Sequence, residues 1–332
     1  MLKLTLSQVI DGYLLDARAR KLSVCTLRDY QNAFRHLQRY FGEADPIFTH
    51  ITAKQVRAFF LDLSEIEVKP AGCASRPARH LSKKSLLNIH TALSALWTWA
   101  LTDNLVKEHV MRAVAAPKPE TPVIVAFSKT DVAALLIACD FTSAYTRLGK
   151  RECANSRPTA LRDRALMLTL LDTGARASEL CADPRRDAPG ARLADYDQRN
   201  ATLRVIGKGS KTRLLVVSTR TQKALWRYLA TRETLTDSAP LFATRNATPL
   251  TSTALLKLCQ DLGKRAGVQD CHPHRFRHTF AIEFLRNGGR VLELQQLLGH
   301  STLQMVQHYA TLAQADLDAA MKRASPVDNW RL

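Results

Sequence analysis

Four short segments in the second half of the chain carry side chains able to act on a phosphate. Thr173-Gly-Ala-Arg-Ala-Ser-Glu-Leu180 sets Arg176 just past a glycine, at the start of a new helical turn. A guanidinium there lies beside free backbone amides and can grip a phosphate through two parallel hydrogen bonds. Glu179, three residues on, can hold a neighbouring amide or cation. Ile206-Gly-Lys-Gly-Ser-Lys-Thr-Arg213 is a glycine-rich turn between two strand patterns, and it carries Lys208 and Lys211. It differs from a P-loop, in which Gly-Lys is followed directly by Ser or Thr and a helix, so ATP binding is not expected. Lys208 can instead reach toward a nucleic-acid backbone or base edge.

Cys271-His-Pro-His-Arg-Phe-Arg-His-Thr-Phe280 places His274 and Arg277 at i and i+3, on one helical face where both can converge on a phosphate. His278, one turn after His274, is expected to pack inward and bond locally. Cys271, His274 and His278 also raise a zinc site. No fourth ligand has suitable spacing, and the intervening arginines repel a dication. The last segment, Leu298-Gly-His-Ser-Thr302, holds His300, and Tyr309 follows nine positions later on a short helical pattern. Taken singly, each segment also reads as something ordinary: a capping turn, a hairpin tip, a core tyrosine.

The charge balance points the same way as the phosphate-binding residue types. Lys plus Arg number 48 against 30 acids, a net of +18. Residues 1–120 hold 17 basic and 11 acidic side chains, a net of +6; the remainder holds 31 and 19, a net of +12. Both halves are basic, so a polyanion that meets both is the natural partner, bound through release of its condensed counterions. Seven cysteines, an odd number with no CxxC pair, fit reduced thiols in a cytoplasmic protein. The apolar runs Ala92–Leu101 and Ala165–Leu171 are too short to span a bilayer, and the N-terminus has no signal-peptide core, so no membrane partner is expected.

The elements that must position these residues follow from periodicity. Residues 1–116 read as helical, with Val9, Ile10, Tyr13 and Leu14, then Leu27, Tyr30, Phe34, Leu37 and Phe41 at helical spacing. Thr52-Ala-Lys-Gln55 is a capping box opening a third helix, and Ser82 caps a fourth that runs to about Leu101. Residues 67–81 between them read as a solvated loop. Ala116-Pro-Lys-Pro-Glu-Thr-Pro122 is an extended linker. Beyond it, Ser128 caps a helix with Asp131 at its third position, and 142–158 reads as a surface insertion. An apolar helix over Leu161–Asp172 stops at Gly174. Strands are expected at Arg192–Tyr196, Thr202–Ile206 and Arg213–Val217, and helices from Thr219 onward.

Together, Arg176, Lys208, His274, Arg277, His300 and Tyr309, in this order, resemble the active-site signature of the tyrosine recombinase (phage integrase) family. The motifs TGARASEL, GKGSKTR, HPHRFRH and LGHS and the late tyrosine carry the resemblance, which runs over essentially the whole chain. Three features depart from the pattern: Phe276 where leucine is usual, a longer Cys181–Ala194 segment, and the 142–158 insertion. The resemblance implies an α+β fold of the two-domain type without an arm-binding domain. A four-helix, SAM-like core-binding domain would occupy 1–116 and a linker 117–127. A mainly helical catalytic domain with a small antiparallel sheet would occupy 128–332.

By the same resemblance the chain is a site-specific DNA recombinase that cuts and rejoins strands through a 3′-phosphotyrosyl link to Tyr309. Arg176 and Arg277 would stabilise charge on the nonbridging oxygens. His274 and His300 would add donors and help manage the nucleophile's proton, and Lys208 would protonate the departing 5′ oxygen. Neither a metal nor any other cofactor is implied. The implied partners are double-stranded DNA and further copies of the chain, in a tetramer on two paired sites linked by the helical pattern Leu312–Ala324. A type IB topoisomerase-like relaxing enzyme and a catalytically silent DNA-binding accessory protein are the alternatives.

Overall fold

The computed structural model describes residues 3–68, 78–120, 124–142, 154–207, 211–233, 236–299 and 302–313, together with Ser325. Lys208 and His300 lie outside the described residues, as do most of the 142–158 insertion and of the segment after Ala313. The chain divides into two compact units, Met1–Pro122 and Val123–Leu332.

In the first unit, helices α1 (Leu6–Ala19), α2 (Val24–Phe41), α3 (Ala53–Glu65) and α4 (Lys83–Thr102) surround an aromatic core. Each starts at a hydroxyl that accepts a free amide: Thr5, Ser23, Thr52 and Ser82, with full capping boxes at Thr5/Gln8 and Thr52/Gln55. Tyr13, Phe34, Phe48, Phe59 and Trp97 fill the centre, and the rings of Phe48 and Trp97 lie 4.8 Å apart. In the stretch expected as a solvated loop, 67–81, the described residues include two short strands. Glu67–Val68 (β1) pairs antiparallel with Arg79–His80 (β2), because exposed backbone groups facing each other across a reversal satisfy one another.

The second unit is mainly helical around one small sheet. It contains α5 (Lys129–Asp140), α6 (Ala160–Thr173), α7 (Ala177–Leu180), α8 (Thr219–Leu229), α9 (Ser252–Ala266), α10 (Pro273–Arg286), α11 (Val291–Leu298) and α12 (Gln304–Ala313). Strands β3 (Tyr196–Asp197), β4 (Thr202–Ile206) and β5 (Thr212–Val216) form an antiparallel sheet in that order, with Val205 opposite Arg213. The architecture is α+β. The strand expected over Arg192–Tyr196 is corrected to a 3-10 turn, Leu193–Asp195, leaving two residues to pair. The Asp195 carboxylate accepts the Arg192 amide at 2.9 Å and holds Arg204 at 2.7 Å, so a side-chain cap replaces the strand ladder.

Two apolar clusters support this unit. The main one joins α5, α6, the sheet, α8 and α9 through Leu166, Leu170, Leu203, Val205, Leu215, Leu225, Leu255 and Phe276. A separate, smaller one joins α10, α11 and α12 through Ala281, Ile282, Leu285, Leu294, Leu298, Val306 and Tyr309. Helix α10 borders both. Its Arg275 donates to the carbonyls of Val125 and Ala126 and lies 4.1 Å over the Phe127 ring, while Thr279 Oγ1 accepts the Phe127 amide at 2.8 Å. Arg275 therefore holds the entering chain against α10. Among the described residues no helix is long and apolar enough to cross a membrane.

Candidate active site

Four of the expected residues, Arg176, His274, Arg277 and Tyr309, come together around the α6–α7 turn, α10 and α12. Gly174 ends α6 with φ 60°, and a Cβ there would sit 2.5 Å from Phe280 Cδ1 and 2.9 Å from Leu298 Cδ2. Only glycine combines that backbone with such close approach. Arg176 follows as the N-cap of α7, and its amide and Nη1 donate to the two oxygens of Glu179 at 2.7 and 2.9 Å. Its Nη2 is 3.5 Å from the carbonyl of Gly299. About a quarter of the Arg176 side chain is exposed, so its outer face is open to a ligand.

Glu179 is the hub of this cluster. Its buried carboxylate also accepts both terminal nitrogens of Arg213, at 2.6 and 2.7 Å, in a bidentate pair. Burial pushes the Glu179 carboxyl up. The hydrogen bonds and charge of Arg213, then those of Arg176, more than offset this and hold it below the usual carboxylate range. Arg213 lies on β5 and packs against Gly299, whose missing Cβ would fall 3.1 Å from its Nη1. One acidic side chain thus ties the β4–β5 hairpin, the Arg176 turn and the end of α11 together.

Arg277 is 1 % exposed. Its Nη1 donates to the Gly174 carbonyl at 2.7 Å and its Nη2 to the Leu298 carbonyl at 2.8 Å, so it binds the C-terminal ends of α6 and α11 at once. These are carbonyls that a helix leaves without internal partners. Burial, then the positive charge of Arg176, pulls the guanidinium down to about 10, still cationic at neutral pH.

His274 and His278 lie one turn apart on α10, with their ring centroids 4.4 Å apart and nearly edge-on. Burial, then the positive charge of Arg277, keeps His274 below the ordinary imidazole value. His278 corrects the expectation of a local bond. Its Nδ1 lies 2.8 Å from the hydroxyl of Tyr309, which stands 31 positions further along, on α12. Tyr309 is 5 % exposed. Burial raises its hydroxyl above the usual tyrosine value, although Arg277 and Arg176 act on it in the opposite sense. Cys271 is turned away to Gly263 and Cys259 of α9, and no cluster of three metal-ligating side chains occurs among the described residues.

Sequence reasoning did not identify Arg213 or the His278–Tyr309 contact. Arg213 had a signal, since it closes the GKGSKTR motif two positions beyond Lys211 on an alternating strand. The tyrosine contact had none, because it joins helices distant in sequence.

Glu179→Ala is expected to destabilise the second unit by about 3 kcal/mol, since it leaves two partly buried arginines, Arg213 and Arg176, without their shared carboxylate. Glu179→Gln should lose less. A carboxyl held below its unfolded value stabilises fully above that value and stops doing so as pH falls through the folded one. The gap between wild type and Glu179→Gln in urea unfolding should therefore narrow toward acid pH. An unchanged gap from neutral to pH below ~4 would refute the role given to the ionised carboxylate.

A family model described as the phage integrase family matches residues 147–316. Tyrosine recombinase XerD of Corynebacterium glutamicum is 30 % identical over 92 % of this chain and 94 % of its own length. Tyrosine recombinase XerC of Listeria welshimeri is 26 % identical over 92 % and 93 %. Among solved structures, the Tn1549 transposon integrase in complex with a circular intermediate DNA superposes with a TM-score of 0.69 at 18 % identity, over 96 % of this chain and 99 % of that one, a likeness of fold. Match length, full-length identity and architecture agree, and the chain belongs to the phage integrase family of tyrosine recombinases.

Proposed function

We propose that this recombinase cuts and rejoins double-stranded DNA with Tyr309 as nucleophile and Arg176, Arg277 and His274 as the groups that receive the scissile phosphate. The observation that supports this best is electrostatic. A buried hydroxyl on α12 lies within reach of two guanidinium charges carried by the α6–α7 turn and α10. Attack on phosphorus builds negative charge on the nonbridging oxygens, and preorganised guanidinium groups stabilise that charge. His274, neutral and beside both arginines, can add a donor to the same oxygens. Lys208 and His300, assigned by the motif match alone, complete the set as the acid for the departing 5′ oxygen and a further donor.

The tyrosine oxygen replaces the 5′ oxygen on phosphorus, leaving a 3′-phosphotyrosyl link and a free 5′ hydroxyl. The link keeps the energy of the original ester, so a second strand's hydroxyl can reverse the step without ATP. The relatives' names as recombinases favour strand exchange between two sites over simple relaxation or silent binding. The basic balance of both halves supports DNA contact by both units, joined by the proline-rich 117–127 linker. We further propose a cytoplasmic enzyme acting as a tetramer on two paired sites.

A duplex selected by wild-type binding from a random-sequence library supplies the substrate. Incubation in EDTA followed by a denaturing gel should show DNA covalently attached to protein, because the positive charge at the phosphate comes from side chains. Loss of attachment in EDTA, restored by Mg²⁺ or Zn²⁺, would overturn the metal-independent reading.

A further inference from the structure

The hydrogen bond between Tyr309 and His278 has no part in the assignments above. The phenol can donate here only if the imidazole carries its own hydrogen on Nε2 and leaves Nδ1 as an acceptor. Burial holds the hydroxyl neutral, and the two arginines can stabilise a phenolate without being able to accept a proton. A nucleophile in that position needs a base within hydrogen-bond reach, and an imidazole titrates near ~6.5, close to neutral pH.

We propose that His278 is the general base that takes the Tyr309 proton as the tyrosine oxygen attacks. This rests on Tyr309 being the nucleophile. During cleavage the Tyr309 O–H bond breaks toward His278 Nδ1, the tyrosine oxygen bonds to phosphorus, and the bond from phosphorus to the 5′ oxygen breaks. The leaving oxygen takes its proton from Lys208. During rejoining the incoming 5′ hydroxyl returns a proton to Lys208, and the departing phenolate recovers its own from the His278 imidazolium. The site therefore begins and ends each exchange with the same protons.

The surroundings suit this cycle. On α10 itself, His274 and Arg277 flank the pair, and Arg176 approaches from the turn after α6. Helix α11 brings the Leu298 carbonyl, which Arg277 holds. Asp172 of α6 is directed to the Ser218 amide, and α9 meets the start of α10 through Cys259 and Cys271. A bound phosphate would bring negative charge to the hydrogen-bonded pair at the moment a proton must be accepted.

His278→Asn keeps an acceptor oxygen near the Nδ1 position but cannot take a proton at neutral pH. On the selected duplex, His278→Asn should bind like wild type and form covalent complex at least ~10²-fold more slowly at neutral pH. Its rate should recover as pH rises and hydroxide replaces the base. His278→Ala should be partly rescued by added imidazole. Replacing the bridging 5′ oxygen with sulfur should rescue neither variant, since the missing step is on the nucleophile's side. Wild-type rates and pH dependence in His278→Asn would overturn the proposal. So would an equal loss at every pH without imidazole rescue, which marks a purely structural contact.

Nitrogen NMR of imidazole-labelled wild-type protein tests the same point without a variant. Nδ1 of His278 should be unprotonated and should shift in Tyr309→Phe; a protonated Nδ1 with hydrogen-free Nε2 refutes the assignment. Peptide mapping of the slow His278→Asn adduct separates the two readings. An adduct on a residue other than Tyr309 means that the nucleophile, and not merely its base, has been misassigned.

Discussion

Tyr309→Phe is expected to bind the selected duplex with nearly wild-type affinity and to form no covalent complex. Phosphate contacts spread over a large basic surface dominate affinity, and one hydroxyl adds little to them. The same hydroxyl is the only part of the side chain able to attack phosphorus. The substitution also removes the bond to His278, worth about 0.5–1.5 kcal/mol to the fold, so a small drop in unfolding midpoint should accompany intact binding. A denaturing gel reads the first effect and a thermal melt the second. A detergent-resistant adduct that persists in Tyr309→Phe would place the nucleophile elsewhere.

The second large effect concerns Lys208. The hairpin that carries it is fixed on its described side: Gly207 donates to the Lys211 carbonyl at 2.8 Å, and Arg213 is clamped by Glu179. A general acid matters most when the leaving group is poor. A 5′ alkoxide is poor, whereas a thiolate, whose conjugate acid titrates near ~8.5 by analogy with cysteine, is good. Lys208→Ala should therefore cleave ordinary DNA roughly 10²–10⁴-fold more slowly and recover most of that loss on a 5′-bridging sulfur substrate. Arg176→Ala should show no such recovery, because the role proposed for it is to stabilise charge on the nonbridging oxygens. By strand alternation Lys211 shares a face with Arg213, which makes it the competing candidate. Sulfur rescue of Lys211→Ala, with Lys208→Ala left inactive, would move the acid three residues along the chain.

Local physics made much of the fold legible. Thr52, Ser82 and Ser128 announced helix starts because a side-chain oxygen three residues before a polar partner satisfies amides the helix cannot. Gly174 announced a stop because its backbone is left-handed. Strand β4 fell on Thr202–Ile206 as its β-branched alternation required. Misreadings came where a side chain competed with the backbone, as Asp195 does, or where pairing depended on distant chain, as for Glu67–Val68 with Arg79–His80. At the site, the resemblance to the integrase signature pointed to Arg176, Lys208, His274, Arg277, His300 and Tyr309, yet not to what holds those that the structure describes. The bonds from Arg277 to Gly174 and Leu298, from Glu179 to Arg213, and from His278 to Tyr309 all join separate elements. Periodicity describes which face a residue occupies within its own element and is silent about the neighbour across it.

Tyr309 belongs to the small apolar cluster of α10, α11 and α12 and not to the main core of its unit. Segments that bury little apolar surface open at lower free energy than those threaded through a large core. Subglobal opening of α12 would withdraw the Tyr309 hydroxyl, the nucleophile proposed above, while the main core of α5, α6, α8, α9 and the sheet kept its native packing. Activity is therefore expected to fade on warming before the main core melts, which activity and tryptophan fluorescence followed over one temperature ramp would show. Strengthening Val306 and its neighbours, rather than the main core, is the route to a recombinase that works hotter.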